Sequence, residues 1–142
     1  MTDTSSKVAI VTGASGGIGA AIAQRLARDG FTVVVNYAGN AAPAKALVAK
    51  IEGDGGRAVA AQADIADPAA VARLFDTAEA AFGGVDVVVN NAGVMQLATI
   101  AESSDALFDR QIAINLKGVS TRCAKPQGGC APAAASSTFR RA

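Results

Sequence analysis

Histidine is absent from the chain, which excludes histidine-based acid–base catalysis and histidine-ligated metal centres. Cysteine occurs twice, at Cys123 and Cys130, both close to the C-terminus. Two thiols so placed make neither a disulfide framework nor a metal quartet, and no metal site is expected. Aromatic residues are only 4% of the chain, so the core must be built from small aliphatic side chains. No apolar run reaches the ~18 residues needed to span a bilayer. The N-terminal MTDTSSK is polar and lacks the apolar centre of a secretory leader. The expectation is therefore a cytoplasmic chain with no membrane partner. The net charge is +1, which provides no field for gripping a phosphate backbone, so nucleic acid is not an expected partner.

What remains is the composition of one globular domain. The chain has 142 residues, of which 51% are apolar and 18% charged, too apolar for a disordered chain. Val8–Val11 is a short β-branched run followed by glycines and predicts a buried strand. Ile18, Ile22, Ala23 and Leu26 recur at helical spacing, and Gly30 stops that helix. Phe31–Val35 predicts a second strand, Pro43–Ile51 a helix, and Ala58–Ala61 a third strand. Asp67-Pro68 reads as a cap with proline at the first helical position, and Val71, Leu74, Phe75 and Ala78 line the inner face of the helix it opens. Val85–Val89 predicts a fourth strand. Ser104–Lys117 predicts a last helix, with Leu107, Phe108, Gln111, Ile112 and Leu116 near one stripe. Alternating strands and helices demand right-handed crossovers and a parallel, doubly wound α/β sheet covered on both faces. The uniformly apolar strands agree. From Ser120 onward, STRCAKPQGGCAPAAASSTFRRA carries no period of either kind, so 1–119 is expected as the folded unit and 120–142 as a disordered tail.

Five features carry chemistry. Gly13, Gly17 and Gly19 stand in the turn between the first strand and the first helix. A dinucleotide pyrophosphate needs backbone N–H groups at a helix N-terminus and no Cβ in its way. The pattern lacks the Gly-Lys-Ser/Thr of a P-loop, which argues against phosphoryl transfer. Asn36 stands where a site choosing NAD places an acid for the ribose 2′-hydroxyl. A carboxylate there would repel a 2′-phosphate, so its absence favours NADP, although no Arg or Lys adjoins it, and Asn36 could merely end a strand. Asp64, followed by Ile65, ends the third strand, where a carboxylate can accept from an adenine amino group or simply cap a turn. Asn90-Asn91-Ala92-Gly93 closes the fourth strand with small residues that would let a ring and ribose lie against the backbone. Taken alone it is a turn signal. Asn115 in the last helix reads as a buried Asn holding a water or kinking the helix, or as an ordinary polar helix residue.

Together TGASGGIG at Thr12–Gly19, Asp64, Asn90–Gly93 and Asn115 in INLKG resemble the short-chain dehydrogenase/reductase family in order and spacing, over Lys7 to about Val119. The Asn36-Tyr37 pair is similar to NADP-using members such as the 3-oxoacyl-carrier-protein reductases. The resemblance implies a Rossmann-type sheet, here its first four strands in the order 3-2-1-4. It also implies hydride transfer between a nicotinamide and an alcohol or carbonyl, and a homo-oligomeric habit. By position it makes Ser15, Ile18, Asp64, Ile65, Asn91 and Ala92 cofactor contacts, and Asn115 the Asn of the catalytic tetrad. The family's Ser and Tyr-x-x-x-Lys have no counterpart, because the only tyrosine is Tyr37. Codons for Ser120 onward, read one base out of register, permit F-N-T-L-R-E-A-A and then G-G-R-I-I-N-F-S, a helix continuation, a strand and a Ser. This gives the expectation that Ser120–Ala142 is an out-of-frame peptide. A half-sheet of this kind is expected to bind cofactor weakly or not at all, to turn nothing over, and to expose Val85–Val89 as an apolar edge. The reading from another class is a catalytically dead nucleotide- or partner-binding fragment. A third, an NADP-sensing module, rests on the same glycines.

Overall fold

The computed structural model describes residues 6–123. Strands β1 (Val8–Val11), β2 (Thr32–Tyr37), β3 (Arg57–Gln62) and β4 (Val87–Val89) alternate with helices α1 (Gly17–Arg28), α2 (Ala41–Gly53) and α3 (Pro68–Phe82). Helix α4 (Asp105–Ile112), a π-helical segment Ala113–Lys117 and α5 (Gly118–Cys123) follow as one continuous rod. The sheet is parallel throughout, in the order β3-β2-β1-β4. This is the doubly wound Rossmann arrangement expected from the alternation of elements.

Pleating divides the core in two. Val33 and Val35 face α1 and α2, packing with Val11, Ala23, Leu47 and Ile51. Ile10 and Val34 face α3, packing with Val71, Leu74, Phe75 and Ala78. Each such valine or leucine contributes about 1.5–3 kcal/mol by leaving water, and the many alanines let the helices approach closely. Asn40 caps α2 by accepting from the Ala42 N–H (2.9 Å), and Asp67 caps α3 by accepting from Ala69 (2.9 Å). Gly83, at φ 85°, ends α3 in the left-handed conformation.

Several elements differ from the sequence expectation. β2 runs two residues past Val35, because its pairing with β3 continues through Asn36↔Ala61 and Tyr37↔Gln62. α2 begins at Ala41, since Asn40 and not the residue before Pro43 supplies the cap. β4 is confined to Val87–Val89. Asp86 instead accepts from the Val8 N–H with its carboxylate (2.7 Å) and donates its own N–H to the Val8 carbonyl (2.8 Å). The expected stripe on the last helix is not buried: Phe108, Ile112 and Leu116 are exposed, and α4 buries no residue. The helical rod continues through Cys123, so Ser120–Cys123, expected to carry no period, is helical; the preceding turns already supply its carbonyl acceptors. The rest of the expected tail, 124–142 with Cys130, lies outside the described residues. Among those described, no helix is long and apolar enough to cross a membrane.

Candidate functional site

In a parallel sheet of this order, chain connections leave β1 in opposite directions toward β2 and β4, so a crevice opens at the carboxyl ends of the strands. A cleft of about 330 Å³ lies there. Of the residues singled out in the sequence, Gly13, Ser15, Asn36, Asp64, Ile65, Asn91, Ala92 and Gly93 line it. Gly17, Ile18, Gly19 and Asn115 do not.

The glycine turn is shaped by close approach. Gly13 has φ 62°, and a Cβ on it would meet Ala92 Cα at 2.8 Å. A Cβ on Gly19 would meet Asn91 Nδ2 at 2.5 Å and the Gly13 carbonyl at 2.6 Å. Gly16 precedes α1 in an extended conformation and gives no side-chain cap. The first intrahelical N–H here is that of Ala20, donating to Gly16 O at 3.3 Å, so the N–H groups of Gly17–Gly19 form the positive end of the helix. An uncapped helix start at Gly16 and Gly17, where a Cβ would meet no protein atom, fits a phosphate. Ile18, which follows the helical spacing and which the resemblance makes a cofactor contact, is 74% exposed in that first turn.

Thr12 was not singled out, yet it holds the floor together. Its Oγ accepts from the N–H groups of Asn91 (3.1 Å) and Ala92 (3.0 Å) and donates to the Val89 carbonyl (3.3 Å). Asn91 returns the tie, its amide donating to the carbonyls of Thr12 and Gly13, both at 3.1 Å. Thr is common before glycine turns, so only the paired Thr and Asn would have signalled this.

Asn36 is 1% exposed. Its Oδ1 accepts from the Gly13 N–H (3.1 Å), and its Nδ2 donates to the carbonyls of Ala63 (3.1 Å) and Ala61 (3.3 Å). The side chain expected to face the ribose is instead a strut between the β1 turn and β3. The surface beyond β2 belongs to Ala38 and Gly39, which also line the cleft.

Of the two roles weighed for Asp64, the turn is the one its hydrogen bonds display. Its Oδ1 accepts from the Ala66 N–H (2.9 Å), closing a turn, while Oδ2 accepts from Arg110 on α4 (3.0 Å) at the cleft edge. The Ala66 N–H and, less strongly, Arg110 hold its carboxyl below the usual range against the opposing effect of partial burial. Asn115, weighed as a buried Asn or as an ordinary polar helix residue, is exposed. Its amide makes a two-way pair with Val94, accepting from the N–H (2.8 Å) and donating to the carbonyl (2.7 Å), within the π-helical segment.

This sheet, turn and loop set define a Rossmann-type framework. A model of the short chain dehydrogenase family matches residues 7–125, and the chain belongs to that family. An uncharacterized oxidoreductase of Methylorubrum extorquens is 47% identical over 119 residues, covering 84% of this chain and 48% of the relative. A short-chain type dehydrogenase/reductase of Picea abies is 48% identical over 120 residues, covering 79% of this chain and 44% of the relative. Among solved structures, a short chain dehydrogenase from Burkholderia cenocepacia in complex with NADP has a TM-score of 0.79 at 45% identity, covering 82% of this chain and 48% of that one. A blue fluorescent protein from a metagenomic library in complex with NADPH has a TM-score of 0.78 at 41% identity, covering 85% and 50%. The chain thus spans about half the length of the relatives it matches.

Proposed function

We propose that the cleft takes the ADP-ribose portion of NADP(H), as the nucleotide-binding half of an oxidoreductase acting between a small alcohol and its carbonyl. The observation that carries this reading is the uncapped start of α1 at Gly16 and Gly17, where a Cβ would meet no protein atom, beside a turn drawn tight by Gly13 and Gly19 and stitched to the β4 loop by Thr12 and Asn91. The pyrophosphate lies against the N–H groups of Gly17–Gly19, beside Ser15 and Ile18. Adenine lies by Asp64 and Ile65, and the ribose and ring toward Asn91, Ala92 and Gly93. When bound, the nicotinamide supplies or takes the hydride. Asn115 fixes the Val94 backbone at the far end of the cleft, where the family tetrad's Asn would stand.

NADP is favoured over NAD because no carboxylate occurs from Asn36 through Asn40, where an acid would repel a 2′-phosphate. The NADP and NADPH complexes among the similar structures support the same choice. The sequence contains no Tyr-x-x-x-Lys, its single tyrosine being Tyr37. This favours a nucleotide-binding module without turnover for the chain taken alone. A cytoplasmic setting and a homo-oligomeric habit belong to the same proposal.

The chain has no tryptophan, so NADPH fluorescence can be followed without interference from indole. Titration with NADPH is expected to give saturable, weak binding that NADP competes away, and mixing with carbonyl substrates to give no NADPH oxidation. Absence of saturable binding would overturn the cofactor assignment, and robust NADPH oxidation would overturn the inactivity.

A further inference from the structure

Among the described residues, Arg110 is the cation that lines the cleft. It comes from α4, which buries no residue, and it crosses to Asp64 at the end of β3, 46 positions away, with Nη2 to Oδ2 at 3.0 Å. Both side chains are well exposed, at 56% and 38%, so such a pair adds little to stability. Its consequence is geometrical. A carboxylate has about four lone-pair positions. With Oδ1 accepting from the Ala66 N–H and Oδ2 from Arg110, two anchors oppose rotation of the carboxylate plane. The remaining lone pairs are left for the cleft, whose lining also includes Ala38 and Gly39.

We propose that Arg110 is a positioning residue for purine selection: by locking Asp64 it aims an acceptor at the exocyclic amino group of adenine and disfavours a purine bearing a 6-keto oxygen. This rests on the placement of adenine beside Asp64 in the proposed function. Without Arg110, Asp64 keeps a single anchor and rotates about it, so ordering it for an amino group costs entropy on binding. At position 6 a 6-keto purine presents an acceptor to an acceptor, so it gains nothing from a lone pair aimed at that position.

The test compares dissociation constants for NADPH and its hypoxanthine analogue, measured by calorimetry on the full chain. Wild type is expected to favour the adenine form by ~10-fold, the worth of one hydrogen bond to a charged group. R110Q is expected to bring that preference to about twofold or less while leaving the affinity for the hypoxanthine form unchanged, and R110K to fall between. D64N retains an oxygen for the Ala66 N–H and offers an amide N–H to the cleft, so its preference should shift toward the 6-keto purine. In that background R110Q should change nothing further. An unaltered preference in R110Q, or an equal weakening for both cofactors, would overturn the proposal. R110K gives the same readout should R110Q fail to fold. If wild type binds neither dinucleotide, the cofactor assignment falls and this proposal with it; if it binds both with a preference blind to residue 110, only this proposal falls.

Discussion

At the scale of single residues, Asn36 shows how a position can be read for the wrong reason. In the sequence it stands where an acid would select NAD, which suggests that N36D would change the cofactor. In the structure its Nδ2 donates to the Ala61 and Ala63 carbonyls at 1% exposure. N36D removes those donors and sets a charge against carbonyl oxygens away from water. The expected outcome is a loss of roughly 3–5 kcal/mol of stability, as for other uncompensated buried charges, with no gain in NAD affinity. A urea unfolding curve checks the first part and an NAD titration the second. Asp64 gives the converse case, a charge the fold prefers. Its carboxyl is held below the usual range, so the folded state binds its proton less readily than the unfolded chain does. That contribution is complete above the ordinary aspartate range and is lost as pH falls through the lowered folded value. Urea midpoints of wild type and D64N should therefore converge as the solution is acidified. Parallel curves would mean that Asp64 contributes no such term.

At the scale of elements, the alternation of buried strands and amphipathic helices was legible because a parallel sheet leaves period and composition marks in the chain. The strand ends were not legible. β2 extends to Tyr37 only because β3 lies beside it, and nothing local to Asn36 announces that neighbour. Ile18 matches the helical period of α1, yet in the first turn it is exposed, so the period alone does not say which residues are buried. The glycine turn and Asn90–Gly93 were legible as motifs, whereas Thr12, which joins them, was not, since a lone threonine carries no signal. Arg110 was equally hidden, because an arginine on the polar side of a helix looks the same whether or not an aspartate 46 positions earlier meets it. Asn115 was recognised as special, but its pairing with Val94 inside a π-helical segment depends on where the β4 loop passes.

At the scale of the whole molecule, β4 is the exposed margin of the sheet, paired on one side to β1 and half-buried along its length. Among the described residues this run of three valines has a strand on one side only, and such an edge invites strand addition. Val87 belongs to neither core cluster. V87K should accordingly lower concentration-dependent light scattering on warming while leaving the urea midpoint within about 0.5 kcal/mol of wild type. Scattering unchanged by the substitution would point to another surface, such as exposed Phe108 and Leu116. The Thr12–Asn91 stitch has a temporal consequence as well. Its partners are separated by 79 and 80 positions, so the floor of the cleft closes only after all four strands are available. During synthesis β1 and β2 can pair early, but the nucleotide pocket has no floor until Ala92 has left the ribosome. Dinucleotide therefore cannot template the first steps of folding, and can only capture a sheet that is already complete.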